Sequence, residues 1–214
     1  TDQSDVDRLG IYSVPTTLVL GLGFSQGKAS RVLTDPDDVQ MHEIGKYIAL
    51  VLKGNPTVTE LLFLDSYEVR DPRIEPLIKI RSKLLGQRTI RAAYSGYALA
   101  QAQRLASRQT EGRAGFNSDL AKRTAKHGRH CFRLMLQAEQ LLTEGTITVD
   151  VSAHRDELFA IGELAETDVE AFLAKFKARE AELAALPSSL PEEPDYAAAD
   201  EFLVEFRIAN LAIA

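Results

Sequence analysis

The chain is poor in sulfur and in aromatic side chains: one cysteine, two methionines, no tryptophan, and an aromatic share of 7% in 214 residues. A single cysteine, Cys131, excludes an internal disulfide framework and suits a reducing compartment, so a cytoplasmic location is expected. Four histidines and that cysteine give no zinc-ligand spacing. There is no run of about 18 apolar residues and no signal-peptide pattern, so no membrane partner is expected. The Gly-x-x-x-x-Gly-Lys-Ser/Thr phosphate loop is absent, and Gly21 and Gly23 lack the third glycine of a dinucleotide fingerprint. What is present is 45% hydrophobic and 26% charged, enough for a sizeable core in one large domain or two small ones.

Charge is unevenly spread. The net charge of −6 conceals −5 over residues 1–69, +11 over residues 70–133 and −12 over residues 134–214. The basic middle third fits a polyanion partner, and it equally fits pairing with the acidic ends; the two are compatible.

Residues 5–12 read as a strand, and residues 38–44 place Val39, Met41 and Glu43 on one face of a second. Ile44, Tyr47, Ile48, Val51 and Leu52 fall at helical spacing, and Gly54-Asn55-Pro56 ends that helix. Residues 57–64 read as a short helix followed by a short strand. Residues 72–108 are mostly helical, with Pro76 at a helix start and Gly86 and Gly96 as joints. Ser118 caps a helix running to about Glu144. The alternation in Thr146–Val151 predicts an edge strand. Residues 155–186 predict one or two acidic amphipathic helices, residues 187–194 an exposed linker, and residues 196–213 a last helix. Together these predict an α+β fold: a strand-containing core over residues 1–70, a basic helical region over 71–151 and an acidic helical region over 152–214.

Two constellations carry chemistry. Asp5 and Asp7, two apart on a strand, point to the same face roughly 6–7 Å apart, from a rise of about 3.3 Å per residue, within reach of one divalent cation. Mg²⁺ takes such oxygen ligands together with substrate phosphates. The ordinary alternative for Asp-x-Asp is a solvated turn or helix cap. In the basic region Lys126, His130 and Arg133 lie at i, i+4 and i+7 on one helix face, with Lys122 and Arg129 nearby. Arg133 offers a fork for phosphate, Lys126 a point charge and His130 a donor when protonated. Opposite a carboxylate pair, that face would suit a nucleoside triphosphate; the alternative is a solvated basic face with His130 packed on the core.

Ser4-Asp5-Val6-Asp7-x-x-Gly10-Ile11-Tyr12 resembles the Ser-Asp-x-Asp-x-x-Gly-Val segment of DNA polymerase β-superfamily nucleotidyltransferases. Three further segments resemble the bacterial and phage RNA-ligase-associated branch: Glu43-Ile-Gly-Lys46-Tyr47, Lys53-Gly54-Asn55-Pro56 followed by Glu60-Leu61-Leu62-Phe63, and Lys126-x-x-x-His130-x-x-Arg133-Leu134. The resemblance spans residues 1–150 and implies a mixed α/β nucleotidyltransferase core followed by helices. It implies that Asp5 and Asp7 hold two Mg²⁺ ions and that Glu43, or failing it Asp38, is the third carboxylate that polarises the attacking hydroxyl. Ser4, Lys126, His130 and Arg133 would bind the NTP, with Asn55 and Glu60 bracing the site. One metal would activate the acceptor hydroxyl and the other stabilise the leaving pyrophosphate. The branch also carries a Gly-Ser turn shortly before its Asp-x-Asp; this chain begins at Thr1, without Met, and is expected to be a piece of a longer protein, the alternative being a degenerate member of the branch.

The activity so implied is transfer of an NMP from an NTP to a hydroxyl on an RNA end or a protein. Two other functions fit the residues: a non-catalytic module that holds nucleic acid or protein on its basic middle, and a helical regulatory or toxin–antitoxin component. The acidic C-terminal helices are the expected surface for a protein partner or a second copy.

Overall fold

The computed structural model of the chain describes residues 8–22, 30–33, 39–110 and 118–211. Two compact units are present, one made of Thr1–Gly86 with Pro194–Ala214 and the other of Gln87–Glu193. The end of the chain returns to the first unit.

In the first unit, β1 (Arg8–Tyr12), α1 (Thr16–Leu20), β2 (Ser30–Leu33), β3 (Val39–Glu43) and α2 (Ile44–Leu52) follow one another. The sheet is mixed, in the order β1-β3-β2, as the resemblance implies. β1 runs parallel to β3 with Arg8 opposite Val39 and Tyr12 opposite Glu43. β2 runs antiparallel to β3. At the Gly10–Met41 pair, a Cβ on Gly10 would lie 3.1 Å from the Met41 methyl, so glycine makes room for that side chain.

The spacing of Ile44, Tyr47, Ile48 and Val51 buries one whole face of α2. The buried Tyr47 hydroxyl donates to the Val58 carbonyl at 3.0 Å. Gly54, at φ 70°, stops α2 in the left-handed region that favours glycine. Asn55 caps α3 (Pro56–Thr59) by accepting from Val58 N. A 3₁₀ turn, Glu60–Phe63, follows where a short strand was expected. Leu62, Leu77 of α4 (Glu75–Lys79) and Leu84 join the α2 face, and Ala199 and Phe202 of the last helix, α9 (Tyr196–Leu211), close this core.

In the second unit, α5 (Gln87–Thr110), α6 (Ser118–Glu144), α7 (Arg155–Thr167) and α8 (Val169–Ala185) pack together. Gly96 lies inside α5 and marks no joint. Ile90, Tyr94, Ala98, Ala102 and Leu105 bury one stripe of α5, and its two alanines admit the neighbouring helix closely. Cys131, Leu134, Met135, Ala138, Leu141 and Leu142 answer from α6. Asp168 divides the acidic stretch into α7 and α8, its carboxylate accepting from Ala171 N. Gly145, at φ 69°, ends α6.

Two expectations fail in this unit. Thr146–Val151 is not a strand: among the described residues the unit has no other strand to pair with it, and alternation alone does not supply hydrogen-bond partners. Thr148 N instead donates to the Gln140 side chain, and Ile147 is buried. Nor is the stretch 187–194, expected as an exposed linker, exposed throughout: Leu190 and Pro194 are buried. The amides of Gln87 and Arg88, at a helix start with no intrahelical acceptors, donate to the carbonyls of Pro191 and Glu192. Ser189 N donates to the Leu142 carbonyl at 2.7 Å, and Leu190 is buried.

Candidate functional site

β1 follows the Asp5-Val6-Asp7 segment directly. Ser4, Asp5, Asp7 and Asp38 lie outside the described residues. Glu43 is described, and its environment is specific. It ends β3 at 2% exposure and caps α2, accepting from Gly45 N through Oε2 at 2.8 Å. Its Oε1 accepts from Arg207 Nη2 of α9 at 2.6 Å. Both oxygens thus have a donor. Arg207 is itself largely buried, and its carbonyl accepts from the Thr16 hydroxyl at 2.7 Å. In the strand register Glu43 sits opposite Tyr12, four residues beyond Arg8, or about 13 Å of strand. Asn55 caps α3. Among the described residues no group of three or more His, Cys, Asp or Glu could hold a metal ion.

The second cluster lies in the other unit. Lys126, His130 and Arg133 do share a face of α6, and with Arg129 they line one side of a groove of about 470 Å³. Val151, Ser152, Arg155, Leu158 and Phe159 form the other side. Among the described residues the lining holds four formal cations and no carboxylate. The helices meet closely because of two glycines. A Cβ on Gly128 would lie 2.6 Å from Ala165 Cβ, and one on Gly162 would lie 2.9 Å from Arg129 Cγ and 3.0 Å from the Ala125 carbonyl. Arg129 therefore crosses the bare backbone of Gly162 and brings its guanidinium over the Phe159 ring, 4.7 Å from the centroid. Arg155 reaches the same ring at 5.1 Å. Phe159 is half exposed and Leu158, beside it, is buried.

Electrostatics correct one expectation. Burial, then the charges of Arg133, His127 and Lys126, push His130 down to about 4. At neutral pH it is an uncharged imidazole that donates one N–H, rather than a cation. Cys131, on the buried side of α6, donates to the Ala98 carbonyl, and burial pushes its thiol up to about 12. It is a core residue, not a nucleophile.

Arg155 and Phe159 were not singled out in the sequence. A signal existed: Arg155 is the one Lys or Arg between Leu134 and Ala174, with Phe159 one turn later. What no spacing rule supplies is that α7 packs against α6 so as to bring both beside Lys126 and Arg133.

No described helix is long and apolar enough to cross a membrane. Neither the curated proteins nor the solved structures contain a match to this chain. A family model does match, over residues 1–205: RlaP, the RNA repair pathway DNA polymerase beta family. Nucleotidyltransferases of the polymerase β type generally use NTPs and divalent metals. The mixed sheet, the helices that follow it and a match over nearly the whole length lead to one assignment: the chain belongs to the RlaP family of DNA polymerase β-like nucleotidyltransferases.

Proposed function

We propose that the protein transfers an NMP from an NTP to an acceptor hydroxyl with the help of two Mg²⁺ ions, and that it works in the cytoplasm. The observation that carries this reading is the parallel pairing of β1 with β3 at Arg8 and Val39. The residue before Arg8 is Asp7, and the residue before Val39 is Asp38. Two strands in register, each preceded by an aspartate, are a natural support for carboxylates converging on hard cations. Asp5, Asp7 and Asp38 would hold the ions. Glu43 favours another role, since its oxygens already accept from Arg207 and Gly45 N: it anchors the end of β3 to α9.

Bound metal supplies Lewis-acid activation of the hydroxyl and neutralises charge on the leaving pyrophosphate. The chain's own residues do the rest by binding and orienting. In the second unit Lys126 and Arg133 offer charge to substrate phosphates, of the NTP or of the acceptor, and neutral His130 offers an N–H. Ser4, next to the aspartates, contacts the NTP.

The test is transfer of label from α-³²P-labelled NTPs to RNA and to protein acceptors in the presence of Mg²⁺. The wild-type chain, with any residues that precede Thr1, should label an acceptor. Asp5→Asn with Asp7→Asn should lose at least about a hundredfold of that activity, more than second-shell changes at metal sites cost. Undiminished labelling by the double variant would overturn the reading.

A further inference from the structure

We infer that the α6–α7 groove is the seat of a single-stranded RNA segment, with a base stacked on the Arg129–Phe159–Arg155 layer and backbone phosphates along α6. That the strand is the acceptor rests on the nucleotidyl-transfer reading above; that the groove binds it does not.

Three observations lead there. The first is the length of the basic stripe. Lys122, Lys126, Arg129 or His130, and Arg133 recur at i, i+4, i+7 or i+8, and i+11, so the stripe runs about 16 Å along α6 at 1.5 Å per residue. That exceeds what the triphosphate of one nucleotide covers, and it suits successive phosphates of a strand. The phosphates held by Lys126 and Arg133 are then the strand's, in place of the NTP's.

The second is the aromatic group. Phe159 is a half-exposed ring in a groove lined otherwise by cations, with two guanidinium carbons within 5.1 Å of its centroid. Guanidinium and phenyl groups together offer the flat π surface on which unpaired bases stack without regard to sequence. A phosphate-only site has no use for that surface, and a duplex does not offer its bases to it.

The third is the charge of the lining. Among the described residues no Asp or Glu lines the groove. Arg129 and Arg155 lie over the Phe159 ring and line the groove with Lys126 and Arg133, so four cations share it. His130, uncharged and half-buried among them, adds a neutral donor that suits a ribose or a phosphate oxygen.

The experiment is fluorescence anisotropy of a labelled oligouridylate dodecamer with the full chain, in EDTA and without NTP, as a function of salt. Absence of binding overturns this inference and leaves metal-dependent transfer to be judged by its own assay. Phe159→Leu should weaken binding about 5- to 150-fold at every salt concentration, the loss of one stacked base. Phe159→Tyr, which keeps a ring, should restore it. Lys126→Gln and Arg155→Gln should each flatten the log–log salt dependence by about 0.7. The dodecamer annealed to oligoadenylate should bind more weakly than the single strand. Three further outcomes overturn the inference: wild-type affinity in Phe159→Leu, equal binding of duplex and single strand, or displacement of the dodecamer by equimolar ATP, which would mark a mononucleotide pocket.

Discussion

Arg207, near the end of α9, donates to Glu43 at the end of β3 at 2.6 Å, across 164 residues of sequence. The pair has company: Asn210 donates to the Ser13 hydroxyl and accepts from Arg73, and Thr16 donates to the Arg207 carbonyl. α9 therefore fastens β3, the loop after β1, α1 and the Pro72–Ile74 turn with polar contacts, while Phe202 fills the apolar core beside them.

Removing one partner of such a pair leaves a largely buried charge uncompensated. Arg207→Leu should cost about 3–5 kcal/mol of stability in urea unfolding. Adding Glu43→Gln, which removes the orphaned charge and keeps an acceptor for Gly45 N, should recover a substantial part. The same pair separates structure from chemistry. Glu43→Gln should lower stability more than transfer activity, whereas Asp7→Asn should do the reverse. Equal loss of activity in the two variants, at temperatures where both are folded, would return Glu43 to the metal site.

His130 gives a pH prediction. Its folded-state pKa lies near 4, below the ordinary 6.5, because burial and the neighbouring cations disfavour the imidazolium. The unfolded chain takes up the proton first as pH falls. The stability that this group contributes is therefore complete above about 6.5 and is lost progressively down to about 4. His130→Gln should flatten the stability profile in that interval. An oligonucleotide phosphate in the groove should raise the pKa, visible as an upward shift of the His130 ring resonance in an NMR titration with ligand.

The glycine pair at the α6–α7 crossing gives a third. Gly128→Ala gains up to about 1 kcal/mol in helix propensity. It also places a methyl group 2.6 Å from Ala165 Cβ, and forcing the helices apart should cost about 1–3 kcal/mol. The expected result is net destabilisation together with weaker dodecamer binding, since α7 carries Arg155 and Phe159. Ala165→Gly in the same chain should relieve both.

How much of this was legible in the sequence varies by element. α2 was, since its apolar positions fall on one face and Gly54 and Asn55 punctuate its end. So was the α6 face, because a helix fixes the relation of residues three and four apart wherever it lies. The edge strand at Thr146–Val151 was misread for a physical reason: a strand exists only with a partner, and alternation says nothing about whether one is near. The linker at 187–194 was read only in part, because its proline and serine content says nothing of the carbonyls it lends to the start of α5.

The sequence by itself determined the local periods, the caps, the acidic pair, the basic face and the family, because each rests on residues close together in the chain or on motifs in order. Only the tertiary structure decided that Glu43 belongs to Arg207, that His130 is neutral at physiological pH, and that α7 completes the groove with an arginine and a phenylalanine. Those depend on burial and on the meeting of segments far apart in sequence, and desolvation is a property of the packed chain rather than of any residue in it.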